Sequence, residues 1–212
     1  MQINKPEILV SGFLPFQGEQ LNPSELLLHW IQEKYLNKID TILLPVSFEK
    51  AHIILQSKLR GKNYKVLLML GQAGGRSRIC LERVALNWIE TDFPDEDRVS
   101  PARGPIEIEG PAALFTDLPI EGWKSRLAET QQQVEISLSA GGYVCNQLYY
   151  KSLQWIKGNN VRTGACFIHV PYLPEQTSNK SQAPSMELEE MQKILEKIFS
   201  FISEDIKGAQ QR

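Results

Sequence analysis

The stretch SAGGYVCNQLYY, residues 139–150, sets Cys145 just after a Gly141-Gly142 pair, at the start of a helix-like run. A thiol in the first turn of a helix feels the partial positive charge of the N-terminus, which favours the thiolate. Backbone N–H groups of that turn can also bind an oxyanion. The same placement suits a small buried residue sealing a helix against a sheet, because free cysteine is among the most buried residue types. On placement alone, nucleophile and filler stand side by side.

Three histidines are available as a base. His29 and His52 fall inside helix-like stretches and read as helix-face residues. His169 ends the apolar run ACFIHV and begins the irregular VPYLPEQ, a placement that suits a general base. A third group would orient the imidazole. Glu82, in the apolar setting of RICLERVALN, is the candidate, and either Arg83 or His169 can be its partner. Cys166, inside a strand-like run, reads as inert core, and nothing pairs Cys80 with a histidine. GQAGGR (71–76) has the look of a phosphate cradle but matches neither nucleotide-binding glycine pattern. GFLPF offers Phe13 and Phe16 around a rigid Pro15, as ordinary core or as the wall of a small apolar pocket.

These groups need a scaffold that gathers them. Apolar runs of strand length, 7–13, 40–46, 66–70, 134–140 and 165–171, alternate with helical stretches near 23–36, 48–60, 120–132, 145–157 and 185–205. Continuous apolar runs suit strands buried on both faces, so the pattern predicts an α/β fold, an open three-layer α/β/α sandwich with a mostly parallel central sheet. Asn22 as N-cap, Pro23 at the first helical position and Glu25 as a capping-box partner mark one helix start. In such a sheet ligands gather outside the carboxyl ends of the strands. The stretches 12–23, 71–76, 140–146 and 169–176 fall at such ends. The segment 90–118, rich in Pro, Asp and Glu, reads as excursion loops or a small hairpin. The 212 residues, without linker or repeat, read as a single domain, 1–212.

Composition narrows the function classes. A formal charge of −2 gives no basic stripe for nucleic acid. No apolar run is long enough for a membrane span, and the N-terminus lacks the core of a signal peptide, so a cytoplasmic protein is expected. An odd set of three cysteines without CxxC spacing speaks against a disulfide framework and a structural zinc site.

Together the stretches resemble the pyroglutamyl peptidase I family of cysteine peptidases. SGFLPFQGEQLNPS is similar to its G-F-x-P-F-x-G-x-x-x-N-P-S, and GQAGGRSRICLERVALN to its G-Q-A-G-G-R followed by E-R-V-A-x-N. SAGGYVCN is similar to A-G-x-[YF]-V-C-N, and FIHVPYLPEQ to F-I-H-[IV]-P-Y-x-P-E-Q; GPAALFTDLP and KSQAPSM also fit. The resemblance, over about residues 8 to 200, implies hydrolytic removal of N-terminal pyroglutamate from peptides through a thioacyl intermediate. It implies Cys145 as nucleophile, His169 as general acid/base and Glu82 as orienting carboxylate. It further implies Phe13, Phe16, Gln72, Phe93, Tyr143 and Val144 around the substrate, no cofactor or metal, and a homo-oligomer, tetramer or dimer.

One loop departs from the pattern. WIETDFPDED puts Asp92 where the family commonly has arginine, and Phe93 where it has a smaller aliphatic residue. An anion beside a thiolate raises the thiol pKa, and a bulkier ring narrows a pocket. This loop supports a second reading, a non-catalytic or altered-specificity member binding a small pyroglutamyl-like ligand. The Gly142 substitution at a variable motif position is expected to matter less. A redox-responsive thiol would need a resolving cysteine near Cys145, and the sequence names none.

Overall fold

Val-, Leu- and Ile-rich runs without polar alternation become the central strands, because helices cover both faces of the sheet. The computed structural model describes residues 6–132, 134–178, 180 and 182–210; Ser181 of the KSQAPSM motif lies outside them. In chain order the strands are β1 (Ile8–Phe13), β2 (Ile39–Leu44), β3 (Val66–Gln72), β4 (Ile79–Glu82), β5 (Val84–Leu86), β6 (Ala113–Phe115), β7 (Val134–Ser137) and β8 (Gly164–Val170). The helices are α1 (Pro23–Lys34), α2 (Lys50–Leu59), α3 (Ile120–Ala128), α4 (Val144–Gly158), the short α5 (Pro174–Thr177) and α6 (Leu188–Gln210).

Six strands form one sheet in the order β2-β1-β3-β8-β4-β7, and β5 and β6 pair as a separate antiparallel hairpin. Strands β2, β1, β3 and β8 run parallel. β4 runs against β8, and β7 follows β4. Alternate residues of β3 and β8 serve two separate cores. Leu68, Leu70, Cys166 and Ile168 pack with α1, α3 and α6, while Leu67, Met69, Ala165 and Phe167 pack with α2 and α4. The apolar stripe of α6 is core-facing, with Met191, Leu195, Ile198 and Ile202 buried and Leu188 packed at its edge.

The expected sandwich is therefore present, with one addition. β4 is absent from the expected strands, because ICLE is only four residues and stops at a charge that normally signals solvent. Its Glu82 is instead fully buried. The excursion expected over 90–118 supplies β6, which pairs with β5. At α1, Asn22 Oδ1 accepts from Ser24 N at 3.0 Å, as an N-cap should. The second contact comes from Ser24 Oγ, 2.8 Å from Asn22 Oδ1, which also accepts from Phe13 N at 3.0 Å. That hydroxyl ties the end of β1 to the start of α1.

Candidate active site

His169 lies one residue from the carboxyl end of β8, and β4 brings Glu82 beside it. In the antiparallel β4–β8 register Cys80 stands opposite His169 and Glu82 opposite Phe167. Residues two apart share a face, so Glu82 reaches His169 on the diagonal. Glu82 Oε1 is 2.8 Å from His169 Nδ1, and both side chains are buried. A carboxylate only accepts, so Nδ1 carries the proton and Nε2 keeps its lone pair. Of the two partners open to Glu82, His169 is the one in contact; Arg83 turns away to Glu121. A third neighbour, absent from the sequence reading, is Arg76, whose Nη1 lies 3.0 Å from Glu82 Oε1. The GQAGGR turn thus carries a guanidinium to a carboxylate.

Cys145 sits in the first turn of α4, whose N-cap residue Tyr143 makes no side-chain capping bond. The turn keeps its amide donors for another acceptor. Gly71 is paired with His169 in the β3–β8 register, and a Cβ there would lie 3.1 Å from Cys145 Sγ and 2.7 Å from the Phe167 ring. A side chain at position 71, the register partner of His169, would crowd the Cys145 thiol and the Phe167 ring, so the strand carries glycine there. Three contacts fix α4 here. Asn146 Oδ1 accepts from Leu86 N at 2.9 Å and its Nδ2 donates to Leu86 O and Trp88 O. Tyr149 OH donates to Glu82 O at 2.9 Å. Gly142 packs on Glu90, where a Cβ would meet the carbonyl oxygen at 2.6 Å. The close approach, rather than motif variability, explains glycine at that position.

The first-turn argument predicts a lowered thiol pKa, and the structure reverses it. Burial, then the negative charge of Glu82, pushes the Cys145 thiol up to about 12; its own backbone amide and Arg76 oppose this without prevailing. Burial likewise holds His169 below the usual imidazole range, against the pull of Glu82. Both shifts favour the uncharged forms, thiol and imidazole. With the thiol pKa raised, the thiolate appears only as pH climbs. Alkylation of Cys145 by iodoacetamide in the ligand-free protein is expected to keep accelerating above about pH 9, without the plateau near about pH 7 of an activated thiolate. Peptide mass spectrometry at successive times checks this and separates Cys145 from the buried Cys80 and Cys166.

Phe13, Phe16, Gln72, Tyr143 and Val144 line a small cavity that opens on Cys145. Asn22 and Val46 join them, and both follow from sequence position: one caps α1, the other lies just past β2. Phe16 and Tyr143 stack at 6.4 Å between ring centroids, and Phe48 meets Tyr143 edge-on at 5.2 Å. The cavity is small, about 10 Å³, the room of a single water. Two hydrogen bonds brace the chain around it: Tyr143 OH donates to Pro94 O at 2.8 Å, and Gln17 N donates to Glu96 Oε1 at 2.8 Å. Buried Asp95 secures the same wall, accepting from Phe48 N, Asp97 N and Val99 N at 2.8 to 2.9 Å.

Phe93 is not in this lining; its ring is 64% exposed. Asp92 is also outside, 79% exposed and paired with Arg103, which also contacts Glu90 at 3.1 Å. Adjacency to a motif in the chain does not carry these two side chains inward, because Asp92, Phe93 and Pro94 are all exposed and the segment first becomes buried at Asp95. A larger cavity of about 440 Å³ lies between α3 and α6 at the start of β3, lined by Val66, Leu118, Trp123 and Ile202 among others. It holds no cysteine or histidine.

No helix among the described residues is long and apolar enough to cross a membrane. Comparison with known proteins finds relatives over nearly the full length of the chain. The profile of the family described as pyroglutamyl peptidase matches residues 6–204. A pyrrolidone-carboxylate peptidase of Staphylococcus aureus is 37% identical over 202 residues, covering 93% of this chain and 94% of the relative. One from Brevibacillus brevis is 37% identical over 196 residues, covering 89% of each. Among solved structures, the pyrrolidone carboxyl peptidase of Fervidobacterium islandicum aligns with a TM-score of 0.89 at 34% identity, covering 94% of this chain and 99% of that one. The pyroglutamyl peptidase I of Bacillus amyloliquefaciens aligns with a TM-score of 0.84 at 34% identity, over 91% and 94%. With the fold, the motifs and the matched length in accord, the chain belongs to the pyroglutamyl peptidase family.

Proposed function

We propose that the protein removes N-terminal pyroglutamate from peptides by cysteine catalysis at Cys145, His169 and Glu82. His169 Nε2 takes the thiol proton as Sγ bonds to the pyroglutamyl carbonyl carbon. The carbonyl oxygen becomes an oxyanion facing the first-turn amides of α4. The imidazolium then protonates the leaving amine, the C–N bond breaks, and a thioester remains. Water gives a proton to His169 and attacks the thioester, releasing pyroglutamate and restoring the thiol. Glu82 holds the imidazole with Nδ1–H inward throughout. Because thiol and imidazole start neutral, ion-pair formation belongs to the reaction rather than to the resting enzyme.

The observation that carries the substrate assignment is the lining of the small cavity, which contains aromatic, aliphatic and amide side chains and no carboxylate. A pyroglutamyl ring is a neutral lactam and needs only hydrogen bonds for its amide. An ordinary N-terminus brings an ammonium, and burying it there without a counter-ion costs several kcal/mol. The pocket therefore selects by what it withholds. Three free cysteines suit a reducing compartment, and we assign the activity to the cytoplasm. The family resemblance extends this to a homo-oligomer.

Hydrolysis of a pyroglutamyl arylamide, compared with the matching prolyl arylamide, tests the assignment. The lactam is expected to turn over with kcat/KM roughly 10³-fold or more above the prolyl compound. Folded protein that hydrolyses neither, or that prefers the prolyl compound, would overturn it.

A further inference from the structure

We infer that Arg76 is a positioning residue of this reaction: one guanidinium holds the Glu82 carboxylate against His169 and fixes the turn that feeds Cys145. The inference rests on the catalytic roles proposed above.

Glu82 is fully buried, yet only one of its oxygens is used. Oε1 takes both His169 Nδ1 at 2.8 Å and Arg76 Nη1 at 3.0 Å, while Oε2 is buried without a hydrogen-bond partner. A buried carboxylate needs a counter-charge to persist. His169 is neutral at rest, so Arg76 supplies the full positive charge in contact with Glu82 among the described residues. The same side chain has a second task. Its Nη2 donates to Ser139 O at 2.9 Å, in the segment between β7 and α4, six residues before Cys145. A planar fork can span the two acceptors at once, which the point charge of lysine cannot.

The preceding turn is shaped for this delivery. Gly75 has φ +87°, a conformation that favours glycine and reverses the chain after β3. Gly74 packs on Tyr172, where a Cβ would lie 2.4 Å from the ring. Arg76 thus arrives from a turn that other residues cannot easily form.

The groups around His169 are Glu82 and Cys80 from β4 and Arg76 from the β3–β4 turn; its β3 register partner is Gly71, beside which Cys145 of α4 lies. Glu135 of β7 reaches this side through Cys80, its Oε1 3.1 Å from Sγ. Burial pushes the Cys80 thiol up to about 12, leaving it uncharged. The charge balance at the imidazole is therefore Glu82 against Arg76. With the guanidinium gone, Glu82 stabilises protonated His169 unopposed, and the base is lost at a higher pH.

Histidine NMR titration and the pH profile of kcat/KM, on wild type, Arg76→Met and Arg76→Lys, test this. The chain has only three histidines, so His169 is identifiable by comparison with a His169→Asn control. In Arg76→Met the His169 midpoint and the acidic limb both move up by about one pH unit or more. In Arg76→Lys the midpoint stays near wild type, because the charge is kept, while kcat falls roughly tenfold as the clamp on Ser139 is lost. Should Arg76→Met not fold, the lysine variant carries the test by its split between kept midpoint and lowered kcat. A wild-type midpoint in folded Arg76→Met, or unchanged kcat in Arg76→Lys, overturns the inference. The titration needs no turnover, so a wild type that is inactive, with the midpoint still moving in Arg76→Met, sinks the proposed reaction and not the Arg76–Glu82–His169 coupling.

Discussion

Cys145→Ser is expected to lower pyroglutamyl arylamide turnover by on the order of 10⁴-fold or more, because catalytic groups acting as a unit fail together. The change keeps nearly the same volume in a tight place, since the position opposite Gly71 leaves little room around Sγ. The fold should therefore survive, with a thermal midpoint within a few degrees of wild type. The loss comes from chemistry. A serine hydroxyl is a much weaker acid than a thiol, and the neutral His169 has to remove its proton while Glu82 already disfavours an anion at this site. Turnover within tenfold of wild type, in pure and folded variant, would take the nucleophile's role away from Cys145.

Glu82→Gln should cost about 10³-fold in kcat and much less in KM. Glutamine is nearly isosteric, but its amide can present N–H to His169 Nδ1. The imidazole would then carry its proton on Nε2 and could no longer accept one from the thiol. Because Glu82 is absent from the cavity lining, ground-state binding is largely spared. Steady-state kinetics give the kcat and KM split, and nitrogen-15 shifts of the ring report the tautomer directly. A variant with wild-type kcat, or with Nδ1 still protonated, would show that Glu82 does not orient the base. Arg76 is left unbalanced in this variant, so some loss of stability accompanies the kinetic loss.

Cys145 and His169 could be singled out from sequence because each stands where regular and irregular chain meet, Cys145 opening a helix and His169 closing a strand. Glu82 was harder. Its choice between Arg83 and His169 depends on β4 running against β8, and nothing in ICLE announces strand direction. Arg76 escaped because its value lies in a turn geometry, with the guanidinium reaching Glu82 and Ser139, residues 6 and 63 positions away. The thiol's proton affinity was misjudged in sign for a related reason. A helix N-terminus is visible in a sequence, whereas the burial that outweighs it is a property of packing. Asp92 and Phe93 show the converse: residues flanking a motif invite a role in its chemistry, and the structure places both side chains in solvent, outside the cavity lining.

The raised thiol pKa of Cys145 bears on how such an enzyme ages. Peroxide attacks thiolates, and the progression to sulfenic and sulfinic acids follows thiolate character and access. A nucleophile stored as a neutral thiol, behind stacked Phe16 and Tyr143 rings, is a poor target between turnovers. Generating the thiolate only as the reaction begins therefore brings durability, because little of the oxidisable form stands waiting between turnovers.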